Sequence, residues 1–80
     1  MRPAREAETF VRALIGRVTA RAPDAFGPDD DLTSAVGLDS LSLLQIVAEV
    51  EEAYEVRIPD EEMDRLRTLR DLLVQVRRGD

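Results

Sequence analysis

The chain has 80 residues, 17 of them acidic and 11 basic, a net charge of −6, and neither cysteine nor histidine. A chain this short cannot bury two hydrophobic cores, so one domain over 1–80 is expected. Without Cys there is no disulfide framework or thiolate metal site, and without His the usual general base and commonest metal ligand are missing.

The first predicted helix covers roughly 3–20. Phe10, Val11, Leu14, Ile15 and Val18 recur at helical spacing and form one apolar face, with Arg5, Glu8, Arg12 and Arg17 elsewhere on its surface. Pro3 suits the first turn, where a missing N–H costs nothing. Residues 21–37 hold Pro23, Gly27, Pro28, Asp29-Asp30-Asp31 and Gly37, a density of breakers that predicts a long first loop. Such a loop in a compact domain is packed by its own side chains or functional, and Phe26, Leu32 and Val36 are its expected anchors.

The second helix is predicted over 40–54, with Asp39 as N-cap and Leu44, Val47, Val50 and Tyr54 as the inward stripe, joined by Ile46 from the flank. Glu49, Glu51, Glu52 and Glu55 line its other side. Pro59-Asp60 opens a short helical turn through Glu61, Glu62 and Met63. Thr68 and Asp71 form a capping-box-like start for a last helix over 69–78, whose inward residues are Leu69, Leu72, Leu73 and Val76. No segment shows sustained strand alternation. The predicted fold is all-α, a four-helix bundle of three main helices and one short one with a long first loop.

Charge is segregated along the chain. Residues 1–23 carry five Arg and two acids, residues 24–64 one Arg and thirteen acids, and residues 65–80 five Arg and two acids. An acidic middle repels nucleic acid and anionic lipid and attracts basic protein surfaces, although solubilising charge is the simpler reading. The apolar runs are far short of the ~20 residues that cross a bilayer. No secretory signal pattern opens the chain, so a cytoplasmic protein with no membrane partner is expected.

Within this acidic middle, Gly37-Leu38-Asp39-Ser40-Leu41 places a serine at a helix start. Such a serine is usually a cap, but Asp39 can take that task and leave the Ser40 hydroxyl facing outward. The unpaired N–H groups of a helix N-terminus tolerate a phosphate. A catalytic serine needs a neighbouring base, and this chain has neither His nor Lys. If Ser40 reacts, a partner enzyme must activate it, so no enzyme activity is expected.

Asp39-Ser40-Leu41, the Glu-rich helix behind it and Val56-Arg57-Ile58-Pro59-Asp60-Glu61-Glu62 resemble the acyl carrier protein family across almost the whole chain. The resemblance implies that a phosphopantetheinyl transferase moves the 4'-phosphopantetheine of coenzyme A onto Ser40. The added thiol then carries acyl, aminoacyl or polyketide groups as thioesters. It also implies partners: an acyl-loading enzyme (an acyltransferase or adenylating ligase) and a ketosynthase or other pathway enzymes. The protein itself would be a monomer. Carried over by position, the partner-binding residues are Asp39, Leu41, Ala48, Glu51, Glu52 and Val56. Leu41 is either an exposed apolar anchor or a core residue. Leu43, Ile46, Met63 and Leu66 are positioned to line a cargo cavity between the helices, although core packing alone accounts for all four and is the preferred reading.

Leu38 stands where carriers of fatty-acid synthesis tend to have Ala, and Ser34-Ala35 where acids are common. These departures favour a discrete carrier of polyketide or mixed polyketide–nonribosomal peptide biosynthesis; without linkers it reads as free-standing, although a module excised from a larger synthase would look the same. The alternatives are a fatty-acid-synthesis carrier or a carrier-like interaction module without a prosthetic group. Calcium binding through Asp29-Asp30-Asp31 is disfavoured, because three consecutive acids lack alternating ligand spacing and a central Gly.

Overall fold

The computed structural model describes residues 4–78, so Pro3 lies outside the described residues. Helix α1 spans Ala4–Thr19 and buries Ala7, Val11, Leu14 and Ile15, one face at helical spacing. It packs against two later helices, α3 (Ser40–Tyr54) and α4 (Leu69–Arg78). A short α2 (Leu32–Val36) and a 3-10 helix (Asp60–Arg65) complete the fold. The described residues form an all-α bundle of three main helices.

Helix α1 ends in a left-handed turn. Ala20 takes φ 59, and the Arg21 N–H donates to the Gly16 carbonyl at 2.9 Å. This turn brings the Arg21 carbonyl back onto the helix, and a Cβ on Gly16 would lie 2.6 Å from that oxygen. Alanine is favoured over glycine inside a helix by about 1 kcal/mol. Gly16→Ala is nevertheless expected to destabilise the fold, by up to about 2 kcal/mol net, because overpacking against backbone costs about 1–3 kcal/mol. A urea midpoint equal to or above that of the wild type would contradict this.

The connection after α1 differs from the expected loop over 21–37, because its last third is helix α2. Asp31 caps α2 by accepting the Thr33 N–H at 2.9 Å, and Leu32 and Val36, one turn apart, are both buried. The loop is thus pinned by the anchors expected of it, Phe26 included. Gly37 ends α2 at φ 70, with no atom within 4 Å of where its Cβ would be. The glycine is therefore needed for its left-handed backbone conformation and not to make room for a neighbour.

The buried arc of α3 is centred on Ile46, Val47 and Val50, with Leu43 and Tyr54 half-buried beside it. Leu44, expected in the inward stripe, is 55% exposed, and Ile46, expected on the flank, is fully buried. At 100° per residue Leu44 lies far around the helix from Ile46, and tertiary packing against α1 selects the Ile46 side. Phe10 of α1 meets Tyr54 edge to face at 5.5 Å between ring centroids.

Helix α4 starts with the expected reciprocal box. The Asp71 N–H donates to Thr68 Oγ1 at 3.1 Å, and the Thr68 N–H donates to Asp71 Oδ2 at 3.0 Å. Three contacts fasten the first connection to this end of the molecule. The Arg70 guanidinium grips Asp29 at 2.6 and 3.0 Å, the Arg70 N–H donates to the Pro28 carbonyl at 3.0 Å, and the Leu32 N–H donates to the Arg67 carbonyl at 2.8 Å.

Candidate functional site

The stretch around Ser40 is shaped by the end of one helix and the start of another. Gly37 closes α2, the Leu38 N–H returns to the Leu32 carbonyl at 3.1 Å, and the Leu38 side chain is buried. Asp39 then turns to extended backbone, and its carboxylate accepts the Ser42 N–H at 2.7 Å as the N-cap of α3. Hydrogen bonds from the Ser42 N–H, and secondarily its hydroxyl, hold the Asp39 carboxyl below its ordinary pKa. It is therefore charged at neutral pH. Capping does not fall to Ser40, which is the first residue of α3 and exposed.

Ser40 thus sits at the positive end of a 15-residue helix, where the first-turn N–H groups lack intrahelical partners. An anionic ester on Oγ would meet open space and favourable dipoles there, so these residues are compatible with a phosphodiester. The sequence contains no His, Cys or Lys, so the usual bases that activate a serine hydroxyl are missing beside Ser40.

A cleft of about 430 Å³ opens beside Ser40. Leu38, Leu43, Met63 and Leu66 supply its apolar lining, and Thr33, Asp39, Asp64 and Arg67 its polar rim. Of the four residues proposed to line a cargo cavity, three are brought together here. Ile46 is not, because it is fully buried in the core. A second cleft of about 290 Å³ runs between α3 and the 3-10 helix and shares Met63 with the first.

The expected partner-binding residues separate into two groups. Leu41 is 76% exposed, and Ala48 and Glu52 are exposed farther along the same helix. Val56 is buried, although it lines an open acidic depression with Ala48, Glu52 and Glu55. Glu51 is half-buried, and its carboxylate accepts the Ile58 N–H at 2.7 Å, tying α3 to the segment that leads into the 3-10 helix. Glu51→Ala is accordingly expected to cost about 1–2 kcal/mol through loss of a hydrogen bond to a charged group. Glu52→Ala should stay within about 0.5 kcal/mol. Thermal melts of the two variants, with equal losses as the contrary result, distinguish these roles.

Sequence reasoning missed the exposure of Leu44 and Arg57, which border this surface. Arg57 lines both the acidic depression and the second cleft. The three consecutive acids of the first connection are used structurally. Asp29 pairs with Arg70, Asp30 accepts the Gly27 N–H at 2.7 Å, and Asp31 caps α2. No group of acids positioned to hold a metal ion occurs among the described residues. Nor is any helix there long and apolar enough to cross a membrane.

Comparison with known proteins adds independent findings. A family model described as the phosphopantetheine attachment site matches residues 9–73. The acyl carrier protein of Renibacterium salmoninarum is 40% identical over 58 residues, covering 72% of this chain and 72% of that protein. The meromycolate extension acyl carrier protein of Mycobacterium tuberculosis is 31% identical over 68 residues, covering 85% of this chain and 59% of that one. Among solved structures, the solution structure of hexanoyl acyl carrier protein from the actinorhodin polyketide synthase of Streptomyces coelicolor superposes with a TM-score of 0.62. It is 31% identical, and the match covers 86% of this chain and 84% of that one.

Proposed function

This chain belongs to the acyl carrier protein family, whose prosthetic group is phosphopantetheine, and we propose that Ser40 is its attachment point. The observation that carries this reading is the division of labour at the start of α3, where Asp39 caps the helix and Ser40 stands exposed beside it. In the modification, the Ser40 oxygen forms a bond to the phosphorus of coenzyme A that bears the pantetheine arm. The adenosine bisphosphate portion leaves, and the hydroxyl proton passes to a base of the transferase. The arm, once attached, supplies the thiol that the cysteine-free chain lacks.

The residues of the chain itself position and present. The bundle holds Ser40 at a rigid helix start, and tethering raises the effective concentration of the cargo at each successive enzyme. Leu41, exposed Leu44 and Ala48 form an apolar strip edged by Glu52 and Glu55. Its charge attracts the basic docking faces of the transferase, the loading enzyme and a ketosynthase. Such attraction accelerates encounter and weakens with salt, which suits complexes that must form and separate quickly.

The pathway we favour is polyketide or mixed polyketide–nonribosomal peptide biosynthesis in the cytoplasm. The likeness to the carrier of the actinorhodin polyketide synthase supports it. Fatty-acid synthesis is the second reading; the 40% identity to the acyl carrier protein of Renibacterium supports the carrier role and does not choose between the two pathways. Incubation with coenzyme A, Mg²⁺ and a broad-specificity transferase should add one phosphopantetheine to the intact mass. Fragmentation should locate it on the peptide containing Ser40. No gain with several transferases, or a gain elsewhere, would refute the assignment. Intact mass of the protein isolated from its host would identify the cargo and separate the two pathways.

A further inference from the structure

Among the described residues Arg67 is the one cation lining the cleft beside Ser40, and it shares the rim with the carboxylates of Asp39 and Asp64. Its backbone is held on both sides. The Arg67 N–H donates to Asp71 Oδ2 at 2.9 Å, and its carbonyl accepts the Leu32 N–H at 2.8 Å. The side chain is exposed, yet the carboxylate pairs of the described residues engage Arg12, Arg17, Arg65 and Arg70 instead. Arg67 is therefore a guanidinium on a fixed stem beside Ser40, with no carboxylate of the described residues bound to it.

Attachment at Ser40 brings a permanent anion to a rim that already carries Asp39 and Asp64. The N-terminus of α3 offsets only part of that charge, roughly half an elementary charge. A guanidinium presents paired donors that match two oxygens of a phosphate group. Resting on the assignment of Ser40, we infer that Arg67 is the counter-ion of the phosphodiester. It is a positioning residue that draws the base of the arm over the apolar lining formed by Leu38, Leu43, Met63 and Leu66. Its counterpart in charge, Arg77 on α4, does not line this cleft.

The test compares the unmodified and modified full-length chain by ³¹P and ¹⁵N magnetic resonance, in wild type, Arg67→Gln and Arg67→Lys. On modification, the Arg67 Nε–H resonance should shift more than those of Arg21 and Arg77, and high salt should shrink the shift. The phosphodiester ³¹P resonance should move in Arg67→Gln, and Arg67→Lys should restore it in part as a point charge. A ³¹P resonance unchanged in Arg67→Gln, or an Arg67 Nε–H unmoved by modification, overturns the inference while leaving Ser40 as the attachment site. Absence of any added mass or phosphodiester signal in the wild type refutes the Ser40 assignment itself, and this inference with it.

Discussion

Ser40→Ala is expected to accept no phosphopantetheine and to melt where the wild-type protein does. The two halves of this result have separate causes. The cap of α3 belongs to Asp39, whose carboxylate accepts the Ser42 N–H at 2.7 Å, so removing the Ser40 hydroxyl deprives the helix of nothing it uses. An exposed substitution of this type stays within about 0.5 kcal/mol. The loss of modification follows because the neighbouring serines are placed differently. Ser42 is half-buried and its N–H serves Asp39, while Ser34 lies within α2 on the far side of Gly37. Ser42→Ala and Ser34→Ala should both still gain the full mass. Modification of Ser40→Ala, or a large drop in its melting temperature, would show that the roles of Asp39 and Ser40 have been misassigned.

Arg12→Ala should destabilise the fold by about 2–3 kcal/mol, a large share of what a domain this small possesses. Arg12 reads from its position in α1 as a surface charge, yet its side chain is only 20% exposed. The guanidinium donates to the carbonyls of Pro23 and Phe26 at 3.0 and 2.7 Å, pairs with Glu8 at 3.0 Å, and lies over the Phe26 ring at 5.1 Å. One side chain thus satisfies two loop carbonyls and covers the aromatic anchor of the first connection. Leaving a part-buried carbonyl unpaired costs about 1–3 kcal/mol, and the stacked cation adds roughly 0.5–1 kcal/mol. For a domain of this size the melting temperature should fall by roughly 8–20 °C. Arg12→Lys should recover little, because an ammonium cannot serve the acid, both carbonyls and the ring face together. A melting temperature within a few degrees of wild type in Arg12→Ala would show that the loop is held by its buried anchors and its contacts with Arg67 and Arg70, without help from Arg12.

The contrast between Glu51 and Glu52 matters for any mapping of the proposed docking face. Reversing either charge would weaken binding to a basic partner, but at Glu51 the effect would include loss of the Ile58 N–H contact. Glu52 reports on docking more cleanly, since it is exposed. Arg57 adds a positive charge inside the acidic surface, so a partner matched to this chain must present more than a uniformly basic patch.

Local rules determined much of this protein from the sequence alone. Apolar spacing at 3.6 residues placed α1, α3 and α4, and the capping chemistry of Asp39 and of Thr68 with Asp71 placed two helix starts, because these signals act over a turn or less. The same local reasoning left Ser40 without a capping duty, and it remains the residue on which the proposed function turns. What only the tertiary structure decided concerns which of several available faces is covered. Ile46 rather than Leu44 is buried, Arg12 is a loop anchor rather than a solvated charge, and Glu51 is tied to Ile58 while Glu52 faces outward. The physical reason is common to all three. Periodicity sets the angle between side chains on one helix, but only contact with α1, α4 and the intervening loops chooses which angle meets protein and which meets water.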